Sequence, residues 1–288
     1  MSSASTDTLT ERFEESRGHL RAVAYRMLGS LSEAEDAVQE TWLRLQRADT
    51  STVENLGGWL TTVTGRICLD LLRSRRARGE EPLDTHVPDP VVTALDDHDP
   101  EQQALRADSV GLALLVVLDS LAPAERLAFV LHDMFAVPFE DIAPIVERTP
   151  AATRQLASRA RRRVQGAPAP ETDLARQREV VEAFLSAARE GDFERLVAVL
   201  DPDILLRSDG GATGLSRLVL GAHAVASGAI TFQRMAPHVR FVAVNGTIGL
   251  LALPEGRPSS LMAFTITGTK VTELNVVADP ERLAALGL

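Results

Sequence analysis

The sequence has almost no cysteine, few aromatic residues and no long apolar run. Cys68 is the single cysteine, which excludes an intramolecular disulfide and a cysteine-rich metal site and favours the cytoplasm. No stretch approaches the roughly eighteen apolar residues that a membrane helix needs. The polar, acidic residues 1–15 are not typical of a signal or transit peptide. We therefore expect a cytoplasmic protein without membrane association, bound metal or cofactor.

Length and composition indicate a globular protein with several domains. A chain of 288 residues has room for two or three domains of ordinary size. Hydrophobic residues make up 45% and charged residues 24%, which excludes a largely disordered chain.

The basic residues are clustered although the net charge is −10, which argues against a generally basic nucleic-acid-binding protein. Lys270 is the single lysine. Residues 66–78 hold five arginines and one acid, and residues 154–163 hold five arginines and no acid. Between them, residues 79–108 carry nine acids and one arginine. This pattern suits two DNA contacts joined by a segment that avoids DNA, whereas solvated helix faces would scatter the charges more evenly.

Residues 9–77 show a nearly continuous helical pattern. Ser32 followed by Glu35 is typical of a capping box and predicts that a helix begins after Ser32. The apolar stripe of this helix comprises Ala34, Ala37, Val38, Thr41, Trp42 and Leu45. Its opposite face presents Asp36, Gln39, Glu40 and Leu43.

A second long helix is predicted at residues 59–78, after Gly57-Gly58. Its arginine-rich second half suits the helix dipole, and Trp59 and Cys68 are predicted to be core residues. The predicted apolar face comprises Leu60, Val63, Ile67 and Leu71. Residues 79–103 contain four prolines and no helical period, which predicts a linker.

A helix-turn-helix is predicted to follow helical patterns at residues 104–121 and 124–134. A short helix at residues 139–146 leads into the turn Glu147-Arg148. Thr149 as N-cap and Pro150 at the first helical position mark the next helix. Its predicted inward side comprises Leu156, Ala160 and Val164, and its other sides carry polar and arginine side chains, as in DNA-binding helix-turn-helix motifs.

The character of the chain changes after the Ala/Pro-rich linker at residues 166–172. Helical patterns at residues 174–189 and 193–200 precede strands, and residues 281–286 form a last helical turn. The predicted strands are residues 204–207, 239–244, 247–253, 261–267 and 271–277. Asn245-Gly246 is a strong hairpin signal. Helices followed by an antiparallel sheet predict an α+β domain.

Three segments resemble extracytoplasmic-function (ECF) sigma factors. Residues 36–44 (DAVQETWLR) resemble their polymerase-binding helix, residues 59–78 the next helix of the sigma-two domain, and residues 138–164 the sigma-four helix-turn-helix. The last third resembles the SnoaL-like domain of the NTF2-like superfamily that is fused to SigJ-like members.

The resemblance implies a multidomain fold with two all-α sigma domains and a cone-shaped α+β domain. The sigma-two domain is expected at residues 1–78, the linker at 79–103, the sigma-four domain at 104–166 and the SnoaL-like domain at 167–288.

The resemblance also implies a sigma factor that directs core RNA polymerase to promoter DNA. We expect Asp36, Gln39, Glu40 and Leu43 to contact the β′ clamp of the polymerase. Arginine can bind guanine bidentately and glutamine can read adenine, so Arg154, Gln155 and Ser158 are candidate readers of the minus-thirty-five element. The candidate contacts to the DNA backbone are Arg159, Arg161 and Arg162. The candidate contacts to unstacked bases of the minus-ten element are Arg66, Arg73, Arg75 and Arg76.

Several short motifs depart from the family pattern. Glu147 stands where the helix-turn-helix usually has glycine. The linker motif Trp-Leu-Pro-Glu-Pro appears as residues 86–90 (HVPDP). The C-terminal signatures of the subgroup appear as residues 209–212 (DGGA) and 279–283 (DPERL).

The fused domain is expected to regulate the sigma domains, because its short linker gives it a high effective concentration. Its contact with the sigma-two domain or the linker would make a separate anti-sigma factor unnecessary. The residues expected to form that contact are Asp209, Gly210, Gly211, Asp279, Pro280 and Leu283. A small-molecule ligand in this domain is left open.

Two other functions compete with the sigma factor. One is a ligand-sensing helix-turn-helix regulator that does not bind polymerase, although such a regulator has no use for the helix at residues 32–46. The other is an enzyme, for which Asp209 and His223 are the candidate acid–base groups. They share no spacing constraint, so we do not expect an enzyme.

Overall fold

The computed structural model describes residues 3–49, 53–78, 85–95, 110–166, 170–211, 214–231, 233 and 238–286. The chain divides into two compact units, Met1–Glu81 with Val117–Gly166 and Pro82–Val116 with Ala167–Leu288. Among the residues that the structure describes, no helix combines the length and the apolar content needed to cross a membrane.

The first unit begins with three helices, α1 (Ser3–Leu28), α2 (Leu31–Arg47) and α3 (Leu56–Ala77). Trp42 and Trp59 pack against their core, which confirms the core position predicted for Trp59. That core comprises Phe13, Leu20, Val38, Leu45, Leu56 and Leu60. Cys68 is also buried, and burial raises the pKa of its thiol to about 12.

The predicted capping box of α2 is wrong. Ser30 is the N-cap and its side chain makes no capping hydrogen bond. Ser32 Oγ lies 3.1 Å from Ser30 Oγ, and Glu35 pairs with Arg17 of α1. A tertiary ion pair therefore takes the carboxylate that the capping box would use.

The predicted buried face of α3 is partly wrong. Leu60 and Ile67 are buried, but Leu71 is 39% exposed, while Leu69 and Leu72 are buried. Helix α3 packs against α1 and α2 on one side and against the later helices of this unit on another, so its burial does not follow a single stripe.

The rest of the first unit contains the helix-turn-helix. The division between the units falls within helix α4 (Leu112–Asp119), at Val117. After α4 come α5 (Pro123–Phe129), a π-helical segment (Val130–Met134), α6 (Phe139–Val146) and α7 (Pro150–Gln165). Helices α5 and α6 pack on α3.

The two helical groups of the first unit share buried contacts. A Cβ at Gly65 of α3 would lie 3.1 Å from a Leu131 methyl and 3.2 Å from a Leu127 methyl, so glycine permits a close approach. Buried Arg126 donates to the Met27 carbonyl and to the Asp119 carboxylate, both at 2.9 Å.

The second unit is built on one sheet. In the described residues, its seven strands follow the order β1-β4-β5-β6-β7-β2-β3. The strands are β1 (Val92–Thr93), β2 (Leu200–Asp209), β3 (Arg217–Leu220), β4 (Val239–Val244), β5 (Thr247–Ala252), β6 (Ser260–Thr267) and β7 (Lys270–Val277). The accompanying helices are α8 (Leu174–Glu190), α9 (Phe193–Val199), α10 (Ala222–Thr231) and α11 (Pro280–Ala285).

The structure corrects the predicted sheet at three points, the first of which is strand β3, because the sequence predicted no strand at Arg217–Leu220. A wholly antiparallel sheet was expected, but strand β2 pairs in parallel with β7. The long stretch of chain between these two strands provides the crossover connection that a parallel pair needs. Residues 85–95 belong to the predicted linker, for which the sequence predicted no strand, and they contain β1, with Val92 opposite Val244. All-helical regions followed by an α+β domain nevertheless confirm the predicted fold class.

Candidate functional site

The polar face of α2 is open to solvent. Asp36 and Gln39 are exposed, Leu43 is 42% exposed, and Glu40 accepts a hydrogen bond from Arg44 Nε at 2.9 Å. The opposite side holds the buried residues Ala34, Ala37, Val38, Thr41 and Leu45. The face thus combines acidic groups with one apolar side chain, as an interface with a basic partner requires.

The start of α7 is fixed by the predicted N-cap. The Thr149 hydroxyl accepts a hydrogen bond from the Ala152 N–H at 3.2 Å, and Pro150 occupies the first helical turn. Glu147 in the preceding turn has φ 57°, the left-handed conformation expected from its place in the motif.

Helix α7 presents its polar side chains outward. Arg154, Gln155 and Ser158 are exposed in its first half. The inward side differs from the prediction: Thr153, Ala157 and Ala160 are buried, while Leu156 and Val164 are only partly buried. Small residues face inward because α7 packs closely on α5 and α6.

Several candidate arginines already have acidic partners within the first unit. Arg159 lies 3.5 Å from Glu125, and Arg161 pairs with Asp133. In α3, Arg73 lies 3.7 Å from Glu147, and Arg75 pairs with Glu33. Arg66, Arg76 and Arg162 are exposed, and the Arg154 guanidinium lies 5.2 Å from the centre of the Phe139 ring.

A charged cluster in the second unit, which we call the Asp209 latch, joins the linker to the sheet. It comprises Asp209, Arg282, His86, Val87 and Asp89. Arg282 donates to Asp209 Oδ2 at 2.7 Å, to the Val87 carbonyl at 2.5 Å and to Asp89 Oδ1 at 2.9 Å. Asp209 Oδ2 also accepts the Val87 N–H at 3.1 Å and lies 3.3 Å from His86 Nδ1.

The Asp209 carboxylate is stabilised in its charged form. Burial alone would raise its pKa, but hydrogen bonds from His86, the Val87 N–H and the Gly211 N–H, together with the charge of Arg282, hold the pKa well below its usual range. The latch is therefore an ion pair over the whole neutral range.

The two glycines after Asp209 are required by close packing. Gly211 has φ 67°, and a Cβ there would lie 2.0 Å from Asp279 Oδ2. At Gly210, a Cβ would lie 2.8 Å from the backbone of Gly214. Asp279 in turn caps α11 by accepting the Glu281 N–H at 2.9 Å.

Helix α11 holds Arg282 in place. Pro280 occupies its first turn, and Leu283 is buried. Of the predicted contact residues, Asp209 bonds the linker directly. The others form the structure around Asp209 and Arg282: close packing at Gly210 and Gly211, the α11 cap at Asp279, the first turn of α11 at Pro280 and the buried side chain of Leu283. The sequence did not predict Arg282 as a contact residue, although Arg282 lies within the motif DPERL at residues 279–283.

Asn245 holds the same linker at a second point. Its Oδ1 accepts the Val91 N–H at 3.0 Å, and its backbone N–H donates to the Val91 carbonyl at 2.8 Å. Its Nδ2 donates to the Val110 carbonyl at 2.9 Å. The Asn-Gly hairpin signal located this residue but not its contact with a segment more than a hundred residues away.

The groups considered for acid–base catalysis do not come together. Asp209 is engaged in the latch, and the exposed His223 has its ring 5.7 Å from the Phe193 ring. A cavity in this unit includes neither residue among the described residues that line it. No group of three metal-ligating side chains is found in the part of the chain that the structure describes.

Comparisons with known proteins agree with this architecture. The models of sigma-70 region 2 and sigma-70 region 4 match residues 12–78 and 111–164. The chain is 39% identical to the ECF RNA polymerase sigma factor SigJ of Mycobacterium tuberculosis (strain H37Rv), covering 94% of this chain and 91% of that protein. It is 35% identical to the probable ECF RNA polymerase sigma factor SigI of strain CDC 1551, covering 97% and 96%.

A solved structure shows the same organisation over nearly the whole chain. The crystal structure of M. tuberculosis SigJ matches with a TM-score of 0.75 and 36% identity, covering 95% of this chain and 97% of that chain.

Two sigma-70 regions on one chain define a transcription initiation factor. The chain belongs to the family of ECF RNA polymerase sigma factors. The sigma-factor prediction is confirmed. The competing regulator does not account for sigma-70 region 2 at residues 12–78.

Proposed function

We propose that the exposed face of α2 is the surface that binds core RNA polymerase, at its β′ clamp. Supporting this assignment, Asp36, Gln39 and Leu43 are solvent-exposed and Glu40 is partly exposed, while the other side of the same helix is buried. The acids provide charge complementarity and Leu43 adds apolar area.

Co-elution with core polymerase tests this surface. Asp36→Arg with Glu40→Arg is expected to abolish co-elution of the full chain. The matched control is Glu11→Arg with Glu15→Arg, which places the same charge change on exposed positions of α1. Polymerase binding that survives in the first variant, or is lost equally in both, would contradict the assignment.

We infer that α7 reads the minus-thirty-five element and that the arginines of α3 contact the minus-ten element. Arg154, Gln155 and Ser158 lie exposed near the N-terminal end of α7, the part of a recognition helix that meets base edges. Arg159, Arg161 and Arg162 follow as backbone contacts. The positive charge that contacts the minus-ten element comes from four arginines of α3, namely Arg66, Arg73, Arg75 and Arg76.

A promoter library separates readers from backbone contacts. Arg154→Ala and Gln155→Ala should each cost about 1–3 kcal/mol at one or two promoter positions. Arg162→Ala should weaken all sequences alike and lower the salt slope by about one unit. Arg178→Ala, on α8 of the second unit, is the control. Identical behaviour of reader and backbone variants would disprove the division.

We propose that the C-terminal domain regulates the sigma domains by holding the linker between them. The observation that carries this proposal is the Asp209 latch, in which one arginine, Arg282, bonds both the domain and the linker. The latch supplies the regulatory contact within the chain itself, so no separate anti-sigma factor is required. Core polymerase and promoter DNA would be the partners in the cytoplasm, and no enzymatic step is needed.

Promoter binding requires the first unit to open. Elements centred near positions −10 and −35 lie about 25 base pairs, or roughly 85 Å, apart. A compact unit of this size has a radius of gyration of about 14 Å. The α3 and α7 surfaces cannot span that distance while α5 and α6 remain packed on α3. A linker released from the latch gives the two helical groups the freedom to separate.

Run-off transcription with core polymerase tests the latch in the full chain. Arg282→Gln is expected to raise transcript yield at least about threefold at limiting polymerase, because less contact must be broken before opening. Arg240→Gln, at an exposed position of β4, is the matched control. Equal yields from wild type and Arg282→Gln would refute regulation through the latch.

A further inference from the structure

A further cavity of the second unit, of about 240 Å³, lies at the end of the sheet where β5 and β6 separate. The pairing of these strands ends at Gly249 and Ala263, although β5 begins at Thr247 and β6 continues to Thr267. The cavity is lined by this end of the sheet, by residues 111–113 at the start of α4 and by residues 170–172. It shares no described lining residue with the cavity between α8, α10 and the sheet.

Two buried amide side chains hold the walls of this cavity in place. Gln177 donates to the Glu171 carbonyl at 2.6 Å and accepts the Ile248 N–H at 2.9 Å. Asn245 donates to the Val110 carbonyl at 2.9 Å, directly before the start of α4. Both amides are buried and line the cavity. The segment around Glu171 and the start of α4 are therefore fixed to the sheet by specific hydrogen bonds.

Asn275 brings an unpaired acceptor to the cavity, which we call the Asn275 cavity. This residue of β7 is 2% exposed and lies opposite Ala263, whose small side chain also lines the cavity. Its Nδ2 donates to Glu273 Oε1 at 3.3 Å, while its Oδ1 is buried with no hydrogen-bond partner among the described residues. A buried amide oxygen without a partner is destabilising, so a ligand group that donates a hydrogen bond to it is favoured.

The start of α4 brings donors to the same cavity. The Gly111 carbonyl accepts the Leu114 and Leu115 N–H groups at 3.0 and 3.3 Å, so Gly111 occupies the N-cap position. Glycine has no side-chain oxygen for a cap, and the N–H groups of a first helical turn have no acceptor within the helix. Residues 111–113 line the cavity, so these N–H groups favour a ligand oxygen there.

The charges around the Asn275 cavity favour a neutral ligand. Glu171 is the one charged side chain among the described residues that line it. Its Oε1 already accepts the Thr172 and Asp173 N–H groups, and its Oε2 lies 3.5 Å from Arg176. Glu171 repels an anionic ligand, whereas the positive end of α4 disfavours a cationic one.

We propose that the Asn275 cavity binds a small neutral carboxamide with an apolar ring. The amide N–H of the ligand donates to Asn275 Oδ1, and its carbonyl oxygen accepts from the first turn of α4. Its ring lies among Leu112, Pro170 and Ala263, which line the cavity. A cavity of about 150 Å³ holds benzene, so the present volume accommodates roughly nine or ten non-hydrogen atoms, the size of benzamide. The proposal stands independently of the Asp209 latch.

Titration of the full chain with benzamide, followed by NMR, tests this site. The side-chain amide signal of Asn275 is identified by its loss in Asn275→Leu. Benzamide should shift this signal and the Gly111 backbone amide with a Kd below about 1 mM. Acetophenone, of equal size but without the N–H donors, and benzoate, an anion of equal size, should each bind at least about tenfold more weakly. Benzamide that moves neither signal, or binds no better than either analogue, would overturn the proposal.

Two variants locate the ligand, with binding followed at the Gly111 backbone amide. Asn275→Leu should weaken benzamide at least about tenfold and leave acetophenone little changed, because only the acceptor of the N–H group is lost. Ala113→Leu should weaken both probes by filling the cavity, and Ala175→Leu, at an exposed position of α8, is the matched control. Thermal unfolding checks that each variant is folded. Unchanged benzamide affinity in either cavity variant would rule out this site.

Discussion

At the scale of single residues, the second unit depends on a charge that is stabilised by its surroundings. Asp209 exposes only 10% of its side chain, and its neighbours His86, Val87 and Arg282 supply the donors that compensate for burial. A buried carboxylate without such donors would be destabilising. The latch is therefore sensitive to the loss of either charged partner.

Asp209→Asn is expected to lower the free energy of unfolding by about 2 kcal/mol at neutral pH, since Arg282 loses one of its two charged acceptors and keeps only Asp89. Because folding lowers the pKa of Asp209, its contribution is fully present above the ordinary carboxyl pKa and is lost as the pH falls toward the lower folded-state pKa. The difference between wild type and variant should stay constant between about pH 8 and about pH 5 and shrink below about pH 4.

Urea unfolding across this pH range measures the difference. The series is repeated in a His86→Ala background, because His86 Nδ1 lies 3.3 Å from the Asp209 carboxylate and contributes to its surroundings. A difference that grows as the pH falls would show that Asp209 is not held as an anion in the folded chain.

Gly211→Ala should destabilise the chain more than Gly268→Ala. Both positions have positive φ, 67° and 60°, but only at Gly211 would the new Cβ meet the Asp279 carboxylate that caps α11. The excess loss should be about 1 kcal/mol, the usual value of an N-cap. Thermal unfolding of both variants checks this, and equal losses would mean that the cap survives.

At the scale of elements, the helix starts differ in how much of their stability is local. Helix α7 begins with a side-chain cap and a proline, both of which are sequence signals. Helix α2 begins without a capping hydrogen bond and is held by packing and by ion pairs to other helices.

Thr149→Ala should therefore lower the free energy of unfolding by about 1 kcal/mol, because the Ala152 N–H loses its acceptor. Ser32→Ala should change it by less than about 0.5 kcal/mol, since Ser32 does not cap α2. Denaturant unfolding compares the two. If Ser32→Ala lowers the free energy of unfolding more than Thr149→Ala does, Ser32 caps α2 and the prediction is wrong.

At the scale of the whole molecule, the linker is part of the second unit's structure. It is held at two separate points, by the Asp209 latch at Val87 and by Asn245 at Val91. The linker connects the two helical groups of the first unit and is bound to the second unit. A conformational change in the second unit can therefore alter the connection between the two helical groups.

Hydrogen exchange can distinguish the two attachment points. Arg282→Gln should raise exchange of the Val87 amide by roughly tenfold and leave the Val91 amide little changed, because Asn245 still holds it. Arg240→Gln should alter neither amide. Equal acceleration at both amides would instead show that the linker is released as one cooperative segment.

The sequence alone determined the family, the fold class and the local structure of the helix-turn-helix. Periodicity, Thr149, Pro150 and the arginine clusters act through near neighbours, so they can be read without tertiary knowledge. The exposed residues of α2 and α7 followed from the same patterns, although the inward residues of α7 shifted to Thr153 and Ala157.

Only the tertiary structure decided which distant segments meet. Strand β1 pairs with β4 across some 150 residues, and Arg282 reaches Val87 across 195 positions. Short strands and single ion pairs carry little periodicity, and their stability comes from partners remote in the chain. Helix α3 is also buried on two sides by distant helices, so its helical pattern did not predict that Leu71 is exposed. The cavities of the second unit are lined by residues from several separate segments, so no single segment predicts them.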